Sequence, residues 1–248
     1  MSQLPLSLCL QERASFDNYF AGPNAHIVAL LRDAVRRGGE RSVYLWGGPG
    51  SGKTHLLHAL AHEYSRGGRS PAYLCLGEAG DWTPAVLDGL EAAAAILVDD
   101  VQAAAGRHEW ERAWFHLFNR ALDSGTPIFM TANAAPAGVG VNLPDLCSRL
   151  AGGPVLHLKT LDDEEKAAAL RGHAEARGLT LSQDVARYLL RHCPRNMGDL
   201  FAILEMLDRA SLAAQRRLTV PFVKSVLEMR AHAEGRGSGA STSAGDSA

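Results

Sequence analysis

Gly47-Gly-Pro-Gly-Ser-Gly-Lys-Thr54 fits the phosphate-binding pattern G-x-x-x-x-G-K-[ST], with Gly47, Gly52, Lys53 and Thr54 at the fixed positions. In such a loop Gly48, Pro49, Gly50 and Ser51 carry the chain round, so that backbone N–H groups close on phosphate oxygens. Lys53 is placed to reach the β- and γ-phosphates, and the Thr54 hydroxyl to hold Mg²⁺. A helix beginning near Thr54 would turn its positive dipole end toward the same phosphates. The flanks agree. Ser42-Val43-Tyr44-Leu45-Trp46 is a β-branched and aromatic run, and Leu56, Leu57, Leu60 and Ala61 recur at helical spacing after the loop.

Four more apolar runs read as strands: Ala72–Leu76, Ala95–Val98, Pro127–Ala132 and Val155–Leu158. Helical patterns lie between strands, as in Glu109–Asp123, where Trp110, Trp114, Phe115 and Phe118 share a side and read as core. Alternating strands and helices predict an α/β fold, a parallel sheet covered by helices. After Leu161 the pattern turns all-helical. Asp162 with Glu165 spells a capping box, Gly178 a stop, Ser182 and Asn196 further caps, and Thr219 with Pro221 the opening of a last helix. The expected organisation is a flexible peptide at 1–15, a nucleotide-binding α/β domain at 16–160, a helical domain at 161–230 and a disordered Gly/Ser/Ala tail at 231–248.

Ile96-Leu97-Val98-Asp99-Asp100 ends an apolar run in two carboxylates, where the carboxyl ends of parallel strands gather ligands. Asp99 is the candidate Mg²⁺ ligand beside Thr54. Asp100 is the candidate for positioning or deprotonating an attacking water. Taken alone, the pair would equally cap a surface strand. Asn133, after the fourth strand, can orient the water or touch the γ-phosphate, and serves as well as a turn residue before Ala-Ala-Pro. Arg149 is a second open case, a candidate catalytic cation or a surface arginine at a helix end. His55, His58 and His62 follow at helical spacing, but no Glu-x-x-His or cysteine partner argues for a metal there.

A net charge of −2 gives no support for autonomous nucleic-acid binding, which needs a concentrated basic surface. The four cysteines, Cys9, Cys75, Cys147 and Cys193, form no C-x-x-C pair, so neither a zinc site nor a disulfide framework is expected. Cys75 reads as core. With neither a secretory signal nor a membrane-length apolar run, a cytoplasmic protein is the default.

These residues resemble the AAA+ ATPases, and within them the replication initiator DnaA, over about residues 14–229. Phe16-Asp17-Asn18-Tyr19-Phe20 looks like the segment that precedes the DnaA core, and Asp99-Asp100-Val101-Gln102 is similar to its Mg²⁺ strand. The resemblance puts Asn133 at the first sensor position and Arg149 at that of the arginine finger, which acts in trans on a neighbour's ATP. It implies ADP or ATP with Mg²⁺ as cofactor. On this resemblance no helix-turn-helix domain is expected after the helical lid, and a short peptide is expected before the core. Within that peptide, Gln3-Leu4-Pro5-Leu6-Ser7-Leu8 looks like the motif by which proteins dock on the DNA polymerase sliding clamp (beta subunit), through Gln3, Leu4, Leu6 and Leu8. Burying three leucines is worth roughly 5–8 kcal/mol gross, less several kcal/mol for ordering the peptide.

That layout is similar to the Hda family of DnaA regulators. The resemblance implies a nucleotide-bound protein with weak intrinsic ATPase that stimulates ATP hydrolysis by DnaA on the clamp and so restrains re-initiation of replication. Its partners would be DnaA and the clamp, with DNA contacted only through them and self-association left open. One departure stands out. The family's second-sensor arginine is replaced by Gly198, and Arg195 lies three residues earlier. The competing expectation is an autonomous AAA+ ATPase, such as a helicase loader or remodelling motor.

Overall fold

The computed structural model describes residues 14–194 and 196–237. The Gln3–Leu8 peptide and Arg195 lie outside the described residues. The chain divides into two compact units between Leu161 and Asp162.

In the first unit five parallel strands, β1 (Ser42–Trp46), β2 (Ala72–Cys75), β3 (Ile96–Asp99), β4 (Ile128–Ala132) and β5 (Val155–His157), lie in the order β2-β3-β4-β1-β5. Alternation along the strands sends side chains to opposite faces. Val43, Leu45, Leu97 and Phe129 pack with Ile27 and Leu31 of α1 (Ala25–Arg37) and Leu56, Leu57 and Leu60 of α2 (Lys53–Arg66). Tyr44, Val98 and Met130 pack with Trp110, Trp114 and Phe118 of α3 (His108–Ser124) and Leu146 and Leu150 of α4 (Pro144–Leu150). The two tryptophans are core, as their spacing suggested. Buried Asn24 ties the start of α1 to the chain after β5. Its Nδ2 donates to the Lys159 carbonyl and its Oδ1 accepts from the Lys159 N–H, both at 2.9 Å.

Several boundaries differ from the sequence reading. β3 extends through Asp99, because neighbouring strands supply partners for its buried carboxylate. Ala14 and Ser15 belong to the packed body: Ala14 is buried, and the Ser15 carbonyl lies 3.0 Å from His55 Nε2.

The second unit is helical: α5 (Asp163–Glu175), α6 (Gln183–His192), α7 (Met197–Ala214) and α8 (Val220–Gly237). Its caps are those the sequence signalled. Asp162 and Glu165 form a reciprocal capping box, Ser182 accepts from the Val185 N–H and Asn196 from the Asp199 N–H. Leu170, Val185, Leu189, Leu200, Leu204, Leu207 and Val223 fill its core. The α8 backbone remains helical to Gly237, beyond the boundary expected near 230. Among the described residues no helix is long and apolar enough to cross a membrane.

Candidate nucleotide site

The glycine loop leaves β1 at Gly47 and enters α2 at Lys53. Gly50 (φ 73°) and Gly52 (φ 90°) occupy left-handed conformations that side-chain-bearing residues rarely adopt. Gly52 also faces a ring, since a Cβ there would lie 2.6 Å from Tyr19 Cε2. The Tyr19 hydroxyl donates to the Ser51 carbonyl at 3.2 Å, and burial pushes its pKa up to about 12. Lys53 Nζ donates to the loop's own carbonyls, Gly47 at 2.8 Å and Gly48 at 3.0 Å. Burial lowers its pKa, while the charges of Asp100 and Asp99 pull it back up. Thr54 is exposed in the first turn of α2.

Asp99 is only 1% exposed, yet its carboxylate is satisfied from both sides. The Thr131 hydroxyl on β4 donates to Oδ1, and the Tyr73 hydroxyl on β2 donates to Oδ2 at 3.3 Å. Burial, then the Asp99 charge, raises the Tyr73 pKa and keeps that donor protonated. Asp100 turns the chain off the strand in a left-handed conformation (φ 58°), which aspartate tolerates better than most residues. Its N–H donates to Thr131 Oγ1 at 3.1 Å, and its Oδ1 accepts from Gln102 Nε2 at 2.8 Å. The Gln102 side-chain oxygen in turn accepts the Asn133 N–H at 3.2 Å, and the Asn133 side chain is exposed. A Cβ at Gly77 would lie 2.9 Å from Asp100 Oδ2, so the β2 loop passes close beside that carboxylate.

Cys75 is not the core residue its apolar run suggested. It is half-buried at the end of β2, in register with Asp99, and its Sγ and one oxygen each of Asp99 and Asp100 all lie within 4.8 Å of one another. Burial raises the thiol's pKa, and the nearby carboxylates add to the rise. The cluster's hard donors suit Mg²⁺, which prefers carboxylate, hydroxyl and water oxygens; a protonated thiol does not. Bound there, Mg²⁺ would neutralise charge developing on transferring phosphate.

Arg149 is exposed in the last turn of α4 and makes no ion pair among the described residues. The three histidines do not converge on a metal. His58 is 3% exposed with its ring 4.6 Å from that of Tyr73, His55 is turned to the Ser15 carbonyl, and His62 is exposed.

Among solved structures, domain III of the Thermotoga maritima replication initiation protein DnaA superposes with a TM-score of 0.70. It is 21% identical, over 89% of this chain and 98% of that one. AMPPCP-bound DnaA from Aquifex aeolicus gives 0.67 at 23% identity, over 80% of this chain and 66% of that one, so this protein spans just under two thirds of its length. A RuvB variant from Thermotoga maritima gives 0.61 at 16% identity, over 89% and 73%. These likenesses establish the AAA+ fold, a P-loop core followed by a helical lid. Residues 163–227, in the helical unit, match the model of the Hda lid domain.

Lys53, Asp99 and Asp100 are brought into one electrostatic group, with Asn133 linked to Asp100 through Gln102. Arg149 stands outside that group. Sequence reading missed Tyr19, Tyr73, Thr131 and Gln102 as supports of the site. Tyr73 and Thr131 each sit one alternation from an apolar strand residue, Cys75 and Phe129 respectively. Their convergence on Asp99 follows only once β2, β3 and β4 are known to be neighbours.

Proposed function

We propose that this protein is a regulatory inactivator of DnaA. It holds ADP or ATP with Mg²⁺ in the 47–54 loop, docks on the sliding clamp through Gln3, Leu4, Leu6 and Leu8, and stimulates ATP hydrolysis in DnaA. The observation that carries this reading is the Hda lid match at 163–227 beside a DnaA-like core. Nucleotide binding is supported by the left-handed glycines and by Lys53, whose two carbonyl bonds can be exchanged for phosphate oxygens. Thr54 and Asp99 would hold the metal. Nucleotide binding is also supported by the DnaA relative whose structure carries AMPPCP.

Arg149 is the group that acts on the partner. An exposed guanidinium on a short helix, uncommitted to an ion pair among the described residues, is available to a second protein. Placed against transferring phosphate, such an arginine is worth roughly 10³–10⁵ in rate. Asp100 and Asn133, by contrast, would act on this chain's own nucleotide, and the family's second-sensor arginine, which Gly198 replaces, is not there to support intrinsic turnover.

The test is decay of DnaA-bound ATP on clamp-loaded DNA. Stimulation should require the clamp and Gln3, and Arg149→Ala should lose it by about 10³-fold or more while keeping MgADP binding. Full stimulation by Arg149→Ala would remove the finger role. Strong ATP turnover by the isolated protein, lost in Asp100→Asn, would replace the reading with an autonomous ATPase.

A further inference from the structure

Glu111 is a carboxylate in the first turn of α3, 2% exposed, on the face where α3 meets α4. No lysine or arginine pairs with it among the described residues. Backbone amides hold it instead. Gly106 N–H donates to Oε1 at 2.7 Å, Asn142 N–H forks between Oε1 (3.0 Å) and Oε2 (3.1 Å), and Leu143 N–H donates to Oε2 at 2.9 Å. Three loop amides without a ladder or helical partner thus converge on one side chain. A carboxylate is the side chain that can accept all of them, because it offers two oxygens with about four lone-pair directions and no competing donor.

The amides come from two loops, each with a functional end. Gly106 closes the segment that begins at Asp100. Gln102 Nε2 donates to Asp100 Oδ1, Ala105 N–H donates to the Gln102 carbonyl at 3.2 Å, and Gly106 follows. Leu143 is the N-cap of α4; its carbonyl accepts the Cys147 N–H at 3.0 Å, and Arg149 lies two residues on. A run of hydrogen bonds joined by short stretches of backbone therefore leads from the Asp100 carboxylate, through Glu111, to the helix bearing Arg149. A second contact steadies the same helix, as Cys147 Sγ lies 3.6 Å from the Pro136 carbonyl in the loop after Asn133.

We propose that Glu111 is a positioning residue for Arg149: it fixes the start of α4 to the loop behind Asp100, so that the state of the nucleotide site sets where Arg149 is presented. The inference rests on the reading of Arg149 as a trans-acting finger. Contiguity alone does not establish coupling, so the test must separate coupling from simple bracing.

Glu111→Gln is nearly the same size but puts an NH₂ where one oxygen stood, facing a backbone N–H it cannot bond. Three measurements are made beside wild type and Arg149→Ala: DnaA-ATP decay on clamp-loaded DNA as a function of protein concentration, MgADP affinity by calorimetry, and amide hydrogen exchange with and without MgADP. The expected result is a ten- to hundredfold lower maximal stimulation, the loss typical of a reacting group misplaced by about 1 Å. The half-maximal concentration and the ADP affinity should stay within about twofold. Amides of 142–150 should exchange faster and lose their response to MgADP, while those of β1 hold theirs.

Full maximal stimulation by Glu111→Gln, when Arg149→Ala has lost it, overturns the inference alone. A loss confined to ADP affinity or half-maximal concentration overturns it too, in favour of a brace for the fold. If Arg149→Ala stimulates normally, the finger reading itself fails, and the exchange of 142–150 still reports whether Glu111 holds the helix. Should Glu111→Gln not fold, Glu111→Asp keeps the charge but retracts it by one methylene and is read in the same way.

Discussion

The two units of this chain carry their information in opposite ways. In residues 14–161 the informative residues are few and polar, and most stand at the carboxyl ends of strands: the 47–54 loop, Asp99, Asp100 and Asn133. Among the described residues of 162–237 no cluster of such groups stands out, and the unit is defined by packing and caps. Yet the unit with the chemistry leaves the function open, because phosphate loops serve many reactions. The unit without it is the one that matches a specific family. Chemistry at a site constrains what can be bound; the packing of an accessory domain records which lineage uses it.

The largest effect that probes this contrast is a cavity in either core. Leu200 and Leu45 are both fully buried, one in each unit. Truncating either to alanine should cost about 2–5 kcal/mol. The consequence should differ. A helical unit of this size rarely has more than about 3–5 kcal/mol to lose, so Leu200→Ala should unfold residues 162–237 in hydrogen exchange while β1 to β4 stay protected. Leu45→Ala should weaken the sheet and MgADP binding together. If Leu200→Ala opened the strands to the same degree, the two units would be one cooperative body.

Lys53→Ala comes next and acts only on the first unit. A hydrogen bond to a charged group contributes about 1.5–3 kcal/mol, so MgADP affinity should fall by roughly ten- to a hundredfold by calorimetry. The melting temperature without nucleotide should barely change, because Lys53 is half-buried and its carbonyl partners belong to its own loop. Unchanged affinity would mean that the loop does not bind phosphate.

What could be read from the sequence follows the range of the interactions involved. The caps of the second unit were legible at Asp162, Ser182 and Asn196, since each needs only residues three positions apart. The loop and its flanks were legible for the same reason. The support around Asp99 was not. Its hydroxyl donors, Thr131 and Tyr73, come from strands 32 and 26 residues away, and nothing local announces the order β2-β3-β4-β1-β5. Cys75 was misread because an apolar run looks the same in the middle of a sheet and at its open end. Nothing in the sequence singles Glu111 out from the other charges of α3. Its burial depends on loops at 106 and 142–143 that carry no pattern of their own.

The smallest expected effect is a shared one, from a histidine in each unit. Burial lowers the pKa of His58, with the Asp99 charge opposing and His55 adding to the fall. It also lowers that of His173, where Arg177 adds and Glu205 opposes. In both cases the unfolded chain takes up the proton first, near pH 6.5. The stabilising contribution is therefore complete above that pH and is lost as pH falls toward the lowered native value. Acidifying from about pH 7.5 to 5.5 should lower amide protection, measured against the intrinsic exchange rate at each pH, in both units, and more in the first, because His58 is deeply buried and His173 only half-buried. His58→Phe keeps a ring against Tyr73, and His173→Phe keeps one stacked on Phe201, 4.3 Å away in the native pair. Each should flatten the pH response of its own unit and leave the other's intact. A response that flattens in both units after either substitution would mean that the units share their stability, and the contrast drawn between them would have to be given up.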